Sequence, residues 1–527
     1  MLRRFVLRNL KKRPFLNLIK VVGLALGLSG ILFISLFLKN ELTYDSWNSK
    51  ADRIYRLTKT HPQIFNGAHF ARIPNSANIP ELADYFPEIE TYVRLAPIKG
   101  GVMLHNERYY NINEAFVCDS TFFNVFDAQL IIGNKSSVLN NPGAMVVSES
   151  FAKKVFGNEN PIGQEMAIPT GQYYGEQQNF TVQGVMKDFP QNSHFHPELI
   201  ATSPSEPISW WAFTYFLLKP NSNPQNIING YADYTAIHKK LPKDFVPPTL
   251  HLQNISDIHL HSDKLREIEA NGNMTNVYVL AIAAFILLLI SLGNFAGLNL
   301  GMSIFNLKFI NINRVLGSNR NTNLKYFAIE SLYILALSVV LTALVAIPVN
   351  LLICQHFGFN LFENNILFAV IVVAIFCVLG IITGLQPVLK QNIQRLSHKG
   401  ESITPQKSYI SRGIIISQYA MAIILMVMVV GINKQTKFVL QNSMSGDANN
   451  VLIMEDMPAD VQTKFKTFKA ELLKHSSIQS VSAMMEPPGG EANDRFQYEL
   501  DGKKSETEDE NTNDIGIFPC DYSFASL

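Results

Sequence analysis

Two pairs of histidines, His194 with His196 and His259 with His261, have a spacing that could do chemistry. Imidazoles two positions apart on an extended strand project from one face and can offer two nitrogens to a metal ion such as zinc. Closed zinc sites take four ligands, and neither pair has a third and fourth ligand near it in sequence. Solvated or hydrogen-bonded histidines are therefore expected, and no metal. The four cysteines are scattered and form no C-x-x-C pair, which argues against zinc, redox or disulfide roles. No Ser/His/Asp arrangement or paired-carboxylate constellation stands out, so no catalytic residue is assigned. A G-x-x-x-x-G-K-[ST] phosphate cradle is missing: Gly502-Lys503-Lys504 lacks the leading glycine and the Ser/Thr. No cofactor is expected in this chain.

Other residues suit mechanical rather than catalytic work. Lys308, Phe309, Ile310, Ile312, Arg314 and Gly317 set bases beside an apolar stripe. As a short helix this run could seat one face in a groove of a partner and carry a rigid-body push, or lie at a membrane surface with its bases on anionic lipid. Gly23, Gly27 and Gly30 would let helices approach closely within lipid, inside one bundle or between two chains. Glu330 lies five residues beyond Lys325, about 7 Å along a helix. That depth suits a snorkelling interfacial acid, the preferred reading, or a partner for a polar group such as Asn294.

The elements that must position these residues follow from composition. Of 527 residues, 47 % are apolar and 17 % charged, which excludes a disordered chain and points to a membrane protein with a sizeable water-exposed part. A net charge of +1 gives no global basic excess for nucleic acid. Five uncharged runs have the ~20-residue length of a membrane-spanning helix: Val21 to Leu38, Val277 to Leu300, Ser331 to Ile353, Ile366 to Leu389 and Gly413 to Ile432. The first is read as a retained anchor, because it is longer than a signal-peptide core and no small-x-small cleavage site follows it.

Orientation follows from the bias of Lys and Arg towards cytoplasmic loops. Seven bases and no acid lie in residues 1–20; Lys308, Arg314, Arg320 and Lys325 follow span 2; Lys390, Arg395, Lys399, Lys407 and Arg412 follow span 4. The connection from Gln355 to Asn365 has neither Lys nor Arg. The amino terminus is thus expected inside, with residues 39–276 and 433–527 outside. The organisation read from this is an amphipathic leader (1–20), span 1 (21–38), an outer domain (39–276), a unit with spans 2 to 4 (277–389), a cytoplasmic linker (390–412), span 5 (413–432) and a partial second outer domain (433–527). In the leader, Leu2, Phe5, Val6 and Leu10 share one side, with Arg3, Arg4, Arg8, Lys11 and Lys12 around it, as in a helix lying on the inner membrane surface; contact with a cytoplasmic partner is compatible.

In the outer domain, Ser148 to Phe156 reads as a helix capped by Ser148, with Phe151, Ala152, Val155 and Phe156 as its apolar stripe and Gly157 as its stop. Phe180 to Met186 reads as a strand running towards a turn at Asp188 to Asn192. A Cys-Asp pair with a following aromatic recurs, as Cys118, Asp119, Phe122 and as Cys520, Asp521, Phe524; related stretches, Ile89 to Val93 and Ile478 to Ser482, precede each. A duplicated unit of span plus outer domain is expected, the second copy stopping about half complete, as in a truncated chain. The expected fold is an α-helical transmembrane bundle plus a mixed α+β extracytoplasmic domain.

Ordered strings along the chain resemble the FtsX/MacB-like permeases of ABC transporters, in the long form with two copies of the anchor-plus-outer-domain unit. They include the first span with Gly23, Leu24, Gly27, Glu41, Tyr44 and Asp45, then DSTFFNVF (Asp119 to Phe126), VVSESFAKKVFG (Val146 to Gly157), NPIG (Asn160 to Gly163) and VQGVMKDFPQNSHF (Val182 to Phe195). DIHLHS (Asp257 to Ser262) is similar to the string before the membrane in the long subgroup, and the permease domain would begin at Val277. The resemblance implies a MacB periplasmic core-like outer domain, a multi-pass protein of the bacterial inner membrane, and a homodimer or heterodimer of permeases. It also implies a separate cytoplasmic ATPase that binds the ATP and whose opening and closing move the outer domain. The run from Asn306 to Gly317 corresponds to the family's ATPase-facing segment; it keeps Lys308, Arg314 and Gly317 but lacks two arginines and an acid usual there. That loss motivates a second expectation, a non-transporting scaffold or sensor whose outer domain binds an envelope protein. A non-functional fragment is a third.

Overall fold

The computed structural model describes residues 2–60, 69–73, 76–98, 102–106, 108–169, 177–203, 208, 211–238, 248–315, 320–357, 360–386, 409–442, 450–454, 457, 459–484, 494–497 and 514–524. They fall into two compact units, residues 1–42 with 274–440 and residues 43–273 with 441–527. In the first unit the chain opens with helix α1 (Leu2–Lys11) and turns at Lys12 and Arg13 into α2 (Pro14–Leu42). Proline supplies a preset φ and needs no N–H partner at a first helical position, so Pro14 both stops α1 from continuing and starts α2. Arg3, Arg4, Arg8, Lys11 and Lys12 are exposed, while Val6 is buried against Tyr326 and Phe327. The leader is therefore partly covered by protein.

The outer domain, in the second unit, is built in chain order from β1 (Ile54–Thr60), β2 (His69–Phe70), α3 (Ile79–Tyr85), β3 (Ile89–Pro97), β4 (Val102–His105), β5 (Arg108–Asn111), β6 (Ala115–Cys118), α4 (Phe122–Val125), β7 (Leu130–Ile132), β8 (Ala144–Ser148), α5 (Glu149–Phe156), β9 (Glu165–Pro169), β10 (Gln177–Met186), β11 (Leu199–Ala201), β12 (Phe213–Leu218), α6 (Pro224–His238), β13 (Thr249–Asn254) and α7 (Ile258–His261). The strands form one mixed sheet in the order β13-β1-β12-β3-β6-β11-β8-β10-β9-β4-β5, with β2 on β1 and β7 on β10. Pairs β6–β11 and β8–β10 are parallel and the other pairs antiparallel. Strand β12 is buried along its whole length because it feeds two cores. Its alternate residues Phe213, Tyr215 and Leu217 join an aromatic core with Phe122, Phe126 and Phe195, while Phe216 and Leu218 join another with Phe86, Ile227 and Tyr234. Each such side chain contributes about 1.5–3 kcal/mol by leaving water.

Helix α5 has the expected cap and stop: Ser148 Oγ accepts the Phe151 N–H at 3.3 Å, and Gly157 adopts φ +62°. Phe151 and Phe156 are buried and Ala152 and Val155 half-buried. Strand β10 covers the expected Phe180 to Met186 and starts three residues earlier.

Returning to the first unit, α8 (Met274–Val315), α9 (Arg320–Phe357), α10 (Ile366–Gly384) and α11 (Tyr409–Asn442) make, with α2, five helices among the described residues that are long and apolar enough to cross a membrane, of mean hydropathy 2.3 to 3.2. Leu24, Leu28 and Ile31 of α2 pack with Leu292 and Phe295 of α8, Ile334 and Leu335 of α9, and Phe376 of α10. Hydroxyls supply the polar contacts that apolar surroundings reward: Ser338 donates to the Val21 carbonyl and Thr342 to that of Ala25, each at 3.2 Å. Lys20 and Glu330 are both buried, at 2 % and 8 % exposure, and lie within electrostatic reach of one another. Glu330 is thus covered by protein, and Lys20, one turn before Leu24 on α2, is the charge that acts on it.

Residues of the second outer segment form α12 (Ala459–Thr463), α13 (Phe465–Leu472) and an antiparallel pair, β14 (Asp494–Gln497) with β15 (Asp514–Ile517). Here the repeated Cys-Asp pair has a structural counterpart. Asp119 holds Arg94 at 2.7 Å, and Asp521 holds Lys469 at 2.6 Å.

Candidate functional site

The residues that leave the first membrane helix are fixed at once into the outer domain. Asp45 stands three residues after the end of α2, is fully buried, and adopts φ +58°, a left-handed conformation that Asp tolerates better than most residues. Its N–H donates to the Asn192 carbonyl at 2.6 Å, and its Oδ1 meets His194 Nδ1 at 2.8 Å. His194 Nε2 lies 2.8 Å from the Tyr215 hydroxyl on β12, while Asn192 Nδ2 donates to the Thr43 carbonyl at 2.6 Å. Burial pushes the Tyr215 phenol far above its usual range, so it stays neutral. Asp45, His194 and Tyr215 resemble a proton relay in sequence of groups, but side chains buried to this degree hold structure and admit no substrate. Beside them, the Tyr44 ring stacks on His259 with centroids 3.4 Å apart and planes within 1°.

The segment that leads into the second membrane helix is held in the same region of the outer domain. Glu269 lies five residues before Met274, the first residue of α8, and its Oε1 is 2.6 Å from His196 Nδ1. His196 Nε2 donates to the Pro190 carbonyl at 3.1 Å, and the His196 N–H donates to Glu114 Oε2. Glu114, His196 and Glu269 bring one ligand-type atom each within 4.8 Å of one another. Burial, then the Glu269 charge, raises the Glu114 carboxyl to about 7. The His196 ring is raised as well: burial pulls it down, but the hydrogen bond and charge of Glu269 outweigh that. Two residues earlier, Glu267 takes a bidentate ion pair from the buried Arg56 and a hydrogen bond from Ser262, while Gln253 Oε1 accepts from Arg56 at 2.9 Å. Burial works against the Glu267 carboxylate, but Arg56 and Ser262 prevail and hold it below the ordinary range.

The histidine expectation needs one correction. His259 and His261 lie on α7, not on a strand face. Asn254 caps the turn after β13 by accepting the Ser256 N–H at 3.0 Å, and the chain coils from there; Ile255 and Ile258, three apart, are both buried as a helical turn requires. His194 and His196 sit in an irregular turn, each hydrogen-bonded, the first to Asp45 and Tyr215 and the second to Glu269 and Pro190. A separate polar cleft of about 540 Å³ lies over the β1–β13 edge, lined by Thr58, His69, His251, His261 and Lys264 among others. Burial and then the Lys264 charge lower His69 to about 4, and the same two causes lower His251.

In the membrane helices, Lys308, Phe309, Ile310, Ile312 and Arg314 all lie on α8, which runs without a break from Met274 to Val315; Gly317 lies outside the described residues. The three glycines of α2 face the other helices at different distances. A Cβ on Gly23 would meet Asn294 Nδ2 at 3.5 Å, one on Gly30 would meet Leu287 Cδ1 at 3.2 Å, and one on Gly27 would stand 2.4 Å from Ser291 Oγ and 2.5 Å from its Cβ. Asn192, Tyr215, Glu114 and Glu269 were not legible as site residues. The one signal available was that Asp45 and His194 both lie in the family-like strings.

Comparison with known proteins bears on the outer domain. Residues 18–230 match the model of the MacB-like periplasmic core domain. Among solved structures, the chain is similar to a domain of a permease protein from Porphyromonas gingivalis (18 % identity, TM-score 0.32, 44 % of this chain and 99 % of that one). It is also similar to the periplasmic region of MacB from Actinobacillus actinomycetemcomitans (16 %, TM-score 0.28, 38 % and 89 %). A third is the extracellular domain of the noncanonic ABC-type transporter YknZ from Gram-positive bacteria (15 %, TM-score 0.29, 38 % and 100 %). No curated protein matches the chain. The domain match bears out the resemblance read from the ordered strings: a MacB-like periplasmic core domain accompanies five apolar helices, as in a membrane protein with an extracytoplasmic domain.

Proposed function

We propose that this chain, with its MacB-like periplasmic core domain, is the permease subunit of an ABC transporter of the MacB/FtsX type in the bacterial inner membrane. It does not hydrolyse ATP. A separate cytoplasmic ATPase does so, and the chain, as a dimer of permeases, passes that motion to its outer domain to export or extract an envelope substrate without a conventional pore.

The observation that carries this reading is the continuity of α8. Its 42 residues span about 63 Å at 1.5 Å per residue, longer than the ~30 Å of hydrocarbon requires. Lys308 to Arg314 therefore share one rod with the membrane span, and a push on them cannot be absorbed by a loop. Within the outer domain, Glu269, five residues before α8, is held to His196, and Asp45, three residues after α2, is held to His194. The absence of a phosphate cradle in the sequence fits this division of labour.

Purification from native membranes with a tagged chain tests the proposal. The wild type should retain an ATP-hydrolysing subunit, and Lys308→Ala with Arg314→Ala should reduce its yield. No associated ATPase, and no change on double substitution, would refute it. The reduced charge of the 306–317 run favours a second reading, a non-transporting scaffold or sensor that binds an envelope protein. Activity that survives deletion of every candidate ATPase would select that reading.

A further inference from the structure

We propose that Glu114, His196 and Glu269 form a binding site for one divalent transition-metal ion, with zinc the best chemical match. The claim stands on the geometry of the outer domain and is independent of the transport reading.

The argument starts from the orientation of the His196 ring. The Pro190 carbonyl can only accept, so the Nε2 that it meets at 3.1 Å carries a hydrogen, and in the neutral ring Nδ1 is then a bare lone pair. That lone pair points at Glu269 Oε1, 2.6 Å away, and the Glu114 carboxylate closes the triangle with all three ligand atoms within 4.8 Å. Three ligand-type atoms converge, and the space among them is held either by protons or by one cation.

Protons can hold that space only as a pair, one on Nδ1 facing Glu269 and one shared between the Glu114 and Glu269 carboxyls. Glu114 Oε2 is already occupied by the His196 N–H, whereas Glu114 Oε1 is shielded from water and meets no donor unless a proton is shared with Glu269. A carboxylate oxygen buried without a donor costs roughly 1–3 kcal/mol or more. One cation among the three groups satisfies Nδ1, Glu269 Oε1 and Glu114 Oε1 together. The surrounding contacts are also those of a metal site: a metal-bound histidine commonly gives its other N–H to a backbone carbonyl, here that of Pro190, and a ligating carboxylate is itself held by a hydrogen bond, here from the His196 amide.

One imidazole and two carboxylates suit zinc, and three protein ligands leave a position for water. The site has room for it, since the side chains of His196 and Glu269 are 36 % and 41 % exposed. Tetrahedral zinc with ~2.0–2.1 Å bonds separates its ligand atoms by about 3.3 Å. The Nδ1 to Oε1 distance of 2.6 Å must therefore open by about 0.7 Å on binding, and the half-exposed Glu269 is the group free to move.

The full-length chain purified in detergent, stripped with chelator and dialysed against Zn2+ in excess Mg2+, provides the test. Metal counted by mass spectrometry should exceed that of Glu269→Gln by one ion per chain, and His196→Gln should match Glu269→Gln. Chelator competition should show at least a tenfold loss of affinity in each variant. Substituting Co2+ should give visible absorption bands in the wild type that Glu269→Gln loses. Because Glu269 is well exposed, its variant keeps the test valid even where His196→Gln or Glu114→Gln fails to fold. Equal Zn2+ content and equal Co2+ spectra in wild type and Glu269→Gln would overturn the proposal and leave a protonated imidazole as the occupant.

Discussion

Substituting Gly27 by alanine separates close helix packing from the ordinary presence of glycine in membrane helices. The added Cβ would lie 2.4 Å from Ser291 Oγ and 2.5 Å from Ser291 Cβ. The hydroxyl can rotate away but the Cβ cannot, and carbon atoms settle at about 3.5–4.0 Å, so α2 and α8 must part by roughly 1–1.5 Å. Overpacking of this kind costs about 1–3 kcal/mol, while alanine regains about 0.5–1 kcal/mol of helix propensity over glycine. The single variant should therefore lose only about 0–2.5 kcal/mol, which alone would decide little. Ser291→Gly removes both clashing atoms, and the nearest remaining atom, the Ser291 Cα, is at 3.8 Å, an ordinary contact. The double-mutant cycle cancels the propensity gain and should return a coupling of about 1–3 kcal/mol, with the double variant more stable than the two single losses predict. Equilibrium unfolding of the purified chain in mixed micelles, followed by helicity, measures all four corners. Gly23→Ala and Gly30→Ala serve as controls, because Asn294 Nδ2 at 3.5 Å is in normal contact and Leu287 Cδ1 at 3.2 Å is the flexible end of a side chain. A coupling near zero, or a Gly27→Ala loss no larger than that of Gly23→Ala, would refute the argument.

Two further outcomes are expected. The contribution of His69 to outer-domain stability should fall as the medium is acidified: held at about 4 against an ordinary 6.5, it is present in full above pH 6.5 and lost as pH drops towards 4, while Glu114, raised to about 7, acts with the opposite sign, so the readout is wild type against His69→Gln. Glu267, held below its ordinary value by Arg56 and Ser262, adds a loss of the same sign lower in pH; a melting-temperature slope between pH 6.5 and 4 that is unchanged in His69→Gln would contradict this. In α8, Gly301 has nothing within 4 Å of an added Cβ, so Gly301→Ala should be neutral or stabilising by up to ~1 kcal/mol, whereas Gly301→Pro should break the rod at a cost of about 3 kcal/mol. The proline variant should still bring down the ATPase yet no longer alter its turnover, and a wild-type effect on turnover would count against transmission through a continuous helix.

Much of the architecture was present in local sequence. A membrane span is a property of about twenty consecutive side chains, and Val277 to Leu300 or Ile366 to Leu389 declare it without reference to anything distant. The same holds for α5, whose serine cap, apolar stripe and terminal glycine all act within ten residues. His259 and His261 mark where local reading failed: the alternating string suits a strand, but Asn254 turns the chain and the buried Ile255 and Ile258 bind it as a helix.

The polar ties inside the outer domain belong to the other category. Asp45 and His194 are 149 positions apart, and His196 and Glu269 are 73 apart. No periodicity relates such residues, because a buried carboxylate takes whichever donor the folded chain delivers to it. The opposition of Lys20 and Glu330 and the difference between Gly27 and Gly23 likewise depend on which helix face meets which neighbour. Short-range chemistry in the chain fixed the helices, the strands and the choice of a membrane as solvent. Only three-dimensional packing decided which polar groups meet once water is excluded, since that pairing is set by the geometry of the whole sheet and bundle.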